Sequence, residues 1–354
     1  MTLEALGYNS RLEKYKKENG LDDYEIGRIA AEHKERYIVR SAAGEREAEI
    51  TGNMRFSASG REDYPAVGDW VAFMPYDDDF AIIHKILPRS SVIERQAVGQ
   101  FGEVQIIAAN IDYAFLVQAV DRDFNVNRLE RYLAICYSSK VKPIIILSKI
   151  DLIDHAILSE LIDKVKARHG EVPIIPISSE DPASISAVES IIERGKTYCL
   201  LGSSGVGKST LMNNLSGKSV MKTDEISKST NKGRHVTSHR ELIVLENGGI
   251  IIDNPGMREV GVSDSGEGLE AVFDSIAELA HNCRFVDCTH TSEAGCAVLE
   301  SLGKGELDEE AYENYIKLER ERAYFETSVA ERRKRDKAFG KILKNYKKDM
   351  KRNS

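Results

Sequence analysis

Short β-prone runs fill residues 28–92. Tyr37-Ile38-Val39, Ala48-Glu49-Ile50-Thr51, Trp70-Val71-Ala72-Phe73 and Ala81-Ile82-Ile83-His84 are bounded by Gly, Asn, Pro and Asp, the punctuation expected between strands. About five such strands in so short a stretch predict a small closed barrel over 25–98, of OB type by preference, although periodicity alone leaves an SH3-like barrel open. Residues 1–24 are polar overall and predict a loosely attached N-terminal arm. From Gln105 the texture changes. A strand within Ile106–Val120 and strands at Pro143–Leu147, Val172–Ile177 and Thr197–Leu201 alternate with helical spacing over Val126–Tyr137, Ala156–Arg168 and Ile185–Arg194. Such alternation predicts a mostly parallel, two-faced α/β sheet over 99–265. Residues 266–354 read as mostly helical, interrupted by a Cys/His cluster. The expected fold is therefore multi-domain: barrel, α/β domain, helical module.

Composition narrows the class. The chain has 354 residues, 42% hydrophobic and 30% charged, enough for about two or three domains with real cores. No apolar run approaches the ~18 residues of a membrane span. The N-terminus, with Glu4 and Glu13, lacks a secretory apolar region, so no membrane partner and a cytoplasmic location are expected. Charge is lopsided. The net charge is −8, yet residues 331–354 carry 11 basic and 3 acidic side chains, +8, leaving −16 elsewhere. A basic tail on an acidic body fits either contact with nucleic acid or a solvated helix end.

The chemistry begins at Gly202-Ser203-Ser204-Gly205-Val206-Gly207-Lys208-Ser209, followed by Thr210. This is G-x-x-x-x-G-K-[ST] between an apolar strand and a helix-like Thr210–Leu215. Backbone N–H groups of such a loop turn toward phosphate oxygens, and the helix N-terminus adds partial positive charge. Lys208 is expected on the β- and γ-phosphates and Ser209 on Mg²⁺. Downstream, Ile250–Ile252 leads into Asp253-Asn254-Pro255-Gly256. Asp253 suits the Mg²⁺ shell, and Gly256 leaves a backbone N–H near the γ-phosphate.

Upstream, Pro143–Leu147 ends in Ser148-Lys149-Ile150-Asp151, which resembles the [NT]-K-x-D motif of GTPases. The Asp151 carboxylate can accept from both N1–H and the 2-amino group of guanine, donors that adenine lacks. Lys149 would cover the base. Ser148 stands where Asn is usual, and a hydroxyl makes only part of the contacts of an amide. Ser178-Ser179, after Val172–Ile177, stands where GTPases often carry Ser-Ala. The base-reading pieces thus precede the phosphate loop, the reverse of most GTPases, so the chain looks like a circularly permuted GTPase.

Between the loop and Asp253 lies Lys232-Gly233-Arg234-His235-Val236-Thr237-Ser238-His239. Thr237 is the candidate switch threonine for Mg²⁺, with Ser238 as competitor. Met257 follows Gly256 where many GTPases place a water-orienting Gln; His235 is the candidate replacement. Cys283, Cys288, His290 and Cys296 form C-x₄-C-x-H-x₅-C. Three thiolates and one imidazole match a closed structural zinc site, with His281 a less favourably spaced substitute. Cys136 and Cys199 lie in apolar stretches and read as small buried hydrophobes.

This combination, with Gly68-Asp69-Trp70-Val71 and Arg89-Ser90-Ser91 in the barrel region, strongly resembles the bacterial ribosome small subunit-dependent GTPase family from about residue 28 to 330. The resemblance implies an OB-fold, a permuted GTPase domain and a zinc-binding C-terminal domain. It also implies GTP hydrolysis stimulated by the 30S subunit late in its assembly, with 16S rRNA contacted by the flanking domains, alongside other assembly factors. A monomer is expected. Ser148 and Val236-Thr237-Ser238, where the family often has a Thr run, depart from the pattern. The competing readings are an RNA-binding guanine-nucleotide sensor without ribosome-stimulated turnover, and a P-loop ATPase with a chance S-K-I-D.

Overall fold

A computed structural model of the chain describes residues 1–33, 36–96, 104–121, 124–217, 241–253 and 266–324, with 331 and 334. The N-terminal arm is not loosely attached. Its helix α1 (Ser10–Glu18) is capped by Asn9, whose side chain accepts from the Arg11 and Leu12 N–H groups. Leu6, Leu12 and Leu21 are buried against Ile26, Trp70, Ala72 and Leu87. A few leucines in a polar segment suffice, because each buried one contributes about 1.5–3 kcal/mol.

The barrel is built from β1 (Glu25–His33), β2 (Arg36–Ser41), β3 (Gly44–Ile50), β4 (Trp70–Pro75) and β5 (Phe80–Ile86), with a short helix α2 (Gly52–Ser57) between β3 and β4. The order β1-β2-β3-β5-β4 closes by pairing β4 with β1. Only β3 and β5 run parallel. This is an OB-like closed barrel. Ile29, Val39, Ala48, Val71, Phe73 and Ile83 fill it.

A hairpin of β6 (Val92–Gln96) and β7 (Val104–Ala109) follows. The apolar run Ile106–Val120 is not one strand: Asn110 adopts φ 56° and splits it into β7 and β8 (Tyr113–Ala119). Then come α3 (Val126–Ser138), β9 (Lys142–Ser148), α4 (His155–His169), β10 (Ile174–Pro176), α5 (Pro182–Ser190), β11 (Thr197–Leu201), α6 (Lys208–Ser216), β12 (Glu241–Val244) and β13 (Ile250–Asp253). Their order is β10-β9-β8-β11-β13-β12, parallel except for the β12–β13 pairing. Strands buried on both faces explain the unbroken apolar runs. The order reverses beside β8: β9 and β10 extend one way, β11 and β13 the other. Crevices at such switch points, beyond the carboxyl ends of the strands, are where α/β sheets hold ligands.

Barrel and sheet are joined. Ala31 of β1 pairs with Glu241 of β12. The fully buried Arg28 donates to the carbonyls of Gly68 (3.0 Å), Leu6 (2.7 Å) and Asn110 (3.0 Å) and to Thr197 Oγ1 (2.9 Å). It thereby ties arm, barrel and the first residue of β11. Burial lowers its pKa to about 10, so it remains charged. Next to it, buried Asp69 accepts two bonds from the Arg89 guanidinium, at 2.8 and 2.7 Å. Burial raises the Asp69 pKa and Arg89 opposes the shift. Gly68-Asp69-Trp70 and Arg89-Ser90-Ser91 are thus junction residues; Ser91 Oγ donates to Ile111 O at 2.7 Å.

The C-terminal module contains α7 (Gly266–Val272), α8 (Asp274–Ala280), α9 (Ala297–Gly303) and a helix over 309–324. Among the described residues its core is continuous with that of the α/β domain: Leu269, Val272, Phe273, Ile276, Val298 and Leu318 share one cluster with Leu129 and Leu133 of α3. A Cβ on Gly268 would lie 2.2 Å from Ala134 O, so glycine there permits the close crossing of α7 on α3. Among the described residues, no helix is long and apolar enough to cross a membrane.

Candidate nucleotide site and metal cluster

The phosphate loop leaves β11, whose five residues are all buried. Gly202 takes φ 153°, and a Cβ there would sit 2.3 Å from Val117 O on neighbouring β8. Gly207 caps α6 with φ 95°. The loop can therefore lie close against the sheet and deliver its N–H groups to one concavity, which larger residues would block. Lys208 Nζ donates to Gly202 O at 2.8 Å and to Ser203 O. Its ammonium is held across the loop rather than free in solvent. Ser209 and Thr210 occupy the first turn of α6, and Ser204 and Gly205 are exposed at the loop tip. Asp253 ends β13, one residue past the Cys199–Ile252 pairing with the strand that feeds the loop.

The Ser148–Asp151 and Ser178–Ser179 segments arrive from the other side of β8. Ser148, buried at the end of β9, donates from Oγ to Val206 O at 2.6 Å. The hydroxyl thus fastens this segment to the phosphate loop. Lys149 sits at φ 60°, a conformation uncommon for a side chain of this kind and typical of constrained sites. Its ammonium pairs with Asp121, just past β8, at 3.0 Å. Ser178 Oγ donates to Asp151 Oδ1 at 2.6 Å. Ile150 N–H donates to Ile177 O at 3.3 Å. The Ser178 N–H donates to Ser184 Oγ at 3.0 Å, which fixes the turn before exposed Ser179. A carboxylate aimed by one hydroxyl still has acceptor lone pairs on both oxygens for an incoming pair of donors. Gly202–Thr210, Asp253, Ser148–Asp151 and Ser178–Ser179 are therefore brought to one end of the sheet. His235, Thr237, Ser238, Gly256 and Met257 lie outside the described residues.

The cysteine cluster closes as the spacing predicts. The ligand atoms of Cys283, Cys288, His290 and Cys296 lie within 4.8 Å of one another. Cys283 Sγ is 3.8 Å from Cys296 Sγ. His290 Nδ1 is 3.6 Å from Cys283 Sγ and 3.5 Å from Cys296 Sγ. A tetrahedral zinc with Zn–S of about 2.3 Å and Zn–N of about 2.0 Å requires edges of about 3.8 Å for S···S and about 3.5 Å for S···N. The donor set fits that ion. His290 adopts φ 57°, and its carbonyl accepts from the Tyr312 hydroxyl at 2.7 Å, which anchors the cluster to the 309–324 helix. His281, the C-cap of α8, is not in the group. Cys136 and Cys199 are wholly buried, and burial pushes both thiols up, so they are packing residues.

Two contacts were not readable from motifs. Asp121 holds Lys149, and Arg128 in the first turn of α3 donates to Ser203 Oγ at 3.0 Å. The Asn125 cap, accepting from Arg128 N–H at 3.1 Å, is the one local signal that this helix begins beside the site.

The chain is similar to known proteins in sequence and in fold. The family model for the RsgA GTPase matches residues 86–263. A Bacteroides thetaiotaomicron protein named small ribosomal subunit biogenesis GTPase RsgA 1 is 41% identical over 350 residues, covering 98% of this chain and 97% of its own. The Methanosarcina acetivorans small ribosomal subunit biogenesis GTPase RsgA is 42% identical over 88% of this chain and 83% of its own. In fold, the chain matches YjeQ from Thermotoga maritima with TM-score 0.60 at 23% identity, over 83% of this chain and 96% of that one. YloQ, described as a circularly permuted GTPase, matches with TM-score 0.60 at 24% identity, over 87% and 96%.

Proposed function

The chain belongs to the RsgA GTPase family, and from that premise we propose that it hydrolyses GTP on the 30S ribosomal subunit during late maturation of that particle. The observation that carries the nucleotide half is the Ser178–Asp151 contact at 2.6 Å, which aims a carboxylate where only a guanine base offers two donors. The small-subunit half rests on the names of relatives that align along nearly the whole chain.

In this reading Gly202–Thr210 wraps the phosphates, and Lys208, already steered by the Gly202 and Ser203 carbonyls, meets the β- and γ-oxygens. Ser148 keeps the base segment in register with the phosphate loop through Val206. Lys149 and Ile150 border the base, and Ser179 supplies a backbone donor. Ser209, Asp253 and Thr237 would hold Mg²⁺, which when bound offsets charge on the phosphates. Gly256 leaves its N–H for the γ-phosphate, and His235 orients the attacking water in place of the usual Gln. Cys283, Cys288, His290 and Cys296 would hold one structural Zn²⁺, leaving no open position for catalysis.

The protein acts as a cytoplasmic monomer, with barrel and helical module against 16S rRNA and other assembly factors close by. Because the body is acidic, rRNA contact depends on local basic groups and on the 331–354 tail, and is strongly salt-dependent. Co-sedimentation with purified 30S or 50S subunits, across a salt series and with a non-hydrolysable GTP analogue, tests the partner. Retention by 30S alone, weakening steeply with salt, is expected; equal retention by both particles or by neither overturns the assignment.

A further inference from the structure

Helix α3 touches the phosphate loop at one end and the C-terminal module along its length, through almost successive residues. Arg128 Nη1 donates to Ser203 Oγ at 3.0 Å. The carbonyl of the same Ser203 accepts from Lys208, so Arg128 stands one residue from the ammonium that serves the phosphates. Two residues on, buried Glu130 accepts from Asn314 Nδ2 at 2.6 Å and faces Arg168 Nε at 3.1 Å and His169 Nε2 at 3.2 Å on α4. Arg131 forms a two-pronged pair with Glu321, at 2.5 and 2.6 Å. Asn314 also reaches Asn127 O at 3.3 Å. The 309–324 helix that makes these grips is the one whose Tyr312 holds the His290 carbonyl of the metal cluster.

We propose that Arg128 is a positioning residue for the GTP site, fixing Ser203 and through it Lys208, and that the C-terminal module sets this contact by holding α3 through Glu130 and Arg131. Rigidity makes this coupling possible. A helical turn transmits a shift of its side-chain anchors with little loss, and α3 is pinned on the module side by a buried carboxylate and a bidentate ion pair. A bidentate arginine–carboxylate pair fixes direction as well as distance. Binding of a partner to the metal-bearing module would then alter phosphate affinity without touching the nucleotide. The inference rests on Gly202–Ser209 being the GTP site.

The test is a double-mutant cycle on the full-length protein, read by binding of a fluorescent GDP analogue and by KM and kcat for GTP. Wild-type binding of the analogue, displaced by GDP and not ADP, establishes the nucleotide site independently. A charged donor to a hydroxyl at a part-exposed site supports an expected loss of about five- to twenty-fold in affinity for Arg128→Ala. KM should rise in step, and Arg128→Lys, which keeps a charged donor, should recover most of the loss. Glu321→Gln, on the module and away from the nucleotide, should weaken binding about two- to four-fold in wild type and have no further effect with Arg128→Ala. Arg128→Ala lowering the melting temperature while affinity, KM and kcat stay within two-fold would reduce the contact to packing and overturn the proposal. Independent, multiplicative effects of the two substitutions would overturn the coupling.

Discussion

Replacing Asp151 by Asn removes one charge and exchanges one acceptor oxygen for a donor. The Ser178 hydroxyl, 2.6 Å from Oδ1, keeps one side-chain oxygen satisfied in either variant. The change therefore falls on the atoms that face the base. Guanine presents N1–H and a 2-amino group, and the carboxylate accepts from both. With Asn, one of these bonds is lost and the other is no longer charge-assisted, while a second donor faces the 2-amino group. Hydrogen bonds to a charged group are worth about 1.5–3 kcal/mol each. A loss of about 3–4 kcal/mol corresponds to roughly 10²–10³ in affinity. Xanthine carries a carbonyl in place of the 2-amino group, so it accepts from the new amide and recovers the lost bond. Calorimetric titration of wild type and Asp151→Asn with GDP, XDP and IDP reads this directly. GDP is expected to weaken about 100-fold or more while XDP tightens, and IDP, lacking the 2-amino donor, should bind wild type about tenfold or more weakly than GDP does. A GDP-to-XDP preference unchanged by the substitution would remove Asp151 from base recognition.

Three further outcomes follow from the geometry. Arg28→Ala strands the carbonyls of Gly68, Leu6 and Asn110 and the Thr197 hydroxyl in the interior, costing about 3–5 kcal/mol in all; the thermal midpoint should fall by about 4–7 °C, and a shift under about 1 °C would show that the junction does not depend on it. Metal analysis of purified protein should give one zinc per chain, lost in Cys296→Ser together with stability of the C-terminal module; a fully stable protein without zinc would refute the structural role. Deleting residues 331–354, with their excess of positive charge, should weaken 30S binding and flatten its salt dependence; an identical salt slope would leave the tail a solvated end.

Much of the architecture was legible because it is encoded over short distances. Alternation in Val39, Val71, Phe73 and Ile83 announces the barrel, and the glycines of 202–207 announce a loop pressed against a sheet. Cys283, Cys288, His290 and Cys296 are near neighbours in sequence and in space. What escaped depends on partners far apart. Leu6, Leu12 and Leu21 look isolated in a polar arm until Trp70 and Leu87 are placed beside them. Asn110 is one polar residue in an apolar run, and only its φ of 56° shows that two strands meet there. Arg28 reads as an ordinary strand arginine, yet its Thr197 partner is 169 residues away. Arg128 and Ser203 are separated by 75 residues, and Arg131 and Glu321 by 190, so neither contact leaves a trace in local pattern. Ser148 departs from the usual Asn, and only the bond to Val206 O at 2.6 Å shows that its hydroxyl ties this segment to the phosphate loop.

The most direct test is GTP hydrolysis by the purified full-length protein, alone and with purified 30S subunits, with 50S subunits and ATP as controls. A GTPase that acts on the small subunit should show slow turnover alone, strong stimulation by 30S only, and no hydrolysis of ATP in either condition. Tight GTP binding with a rate that 30S leaves unchanged, or equal stimulation by 50S, would contradict that assignment.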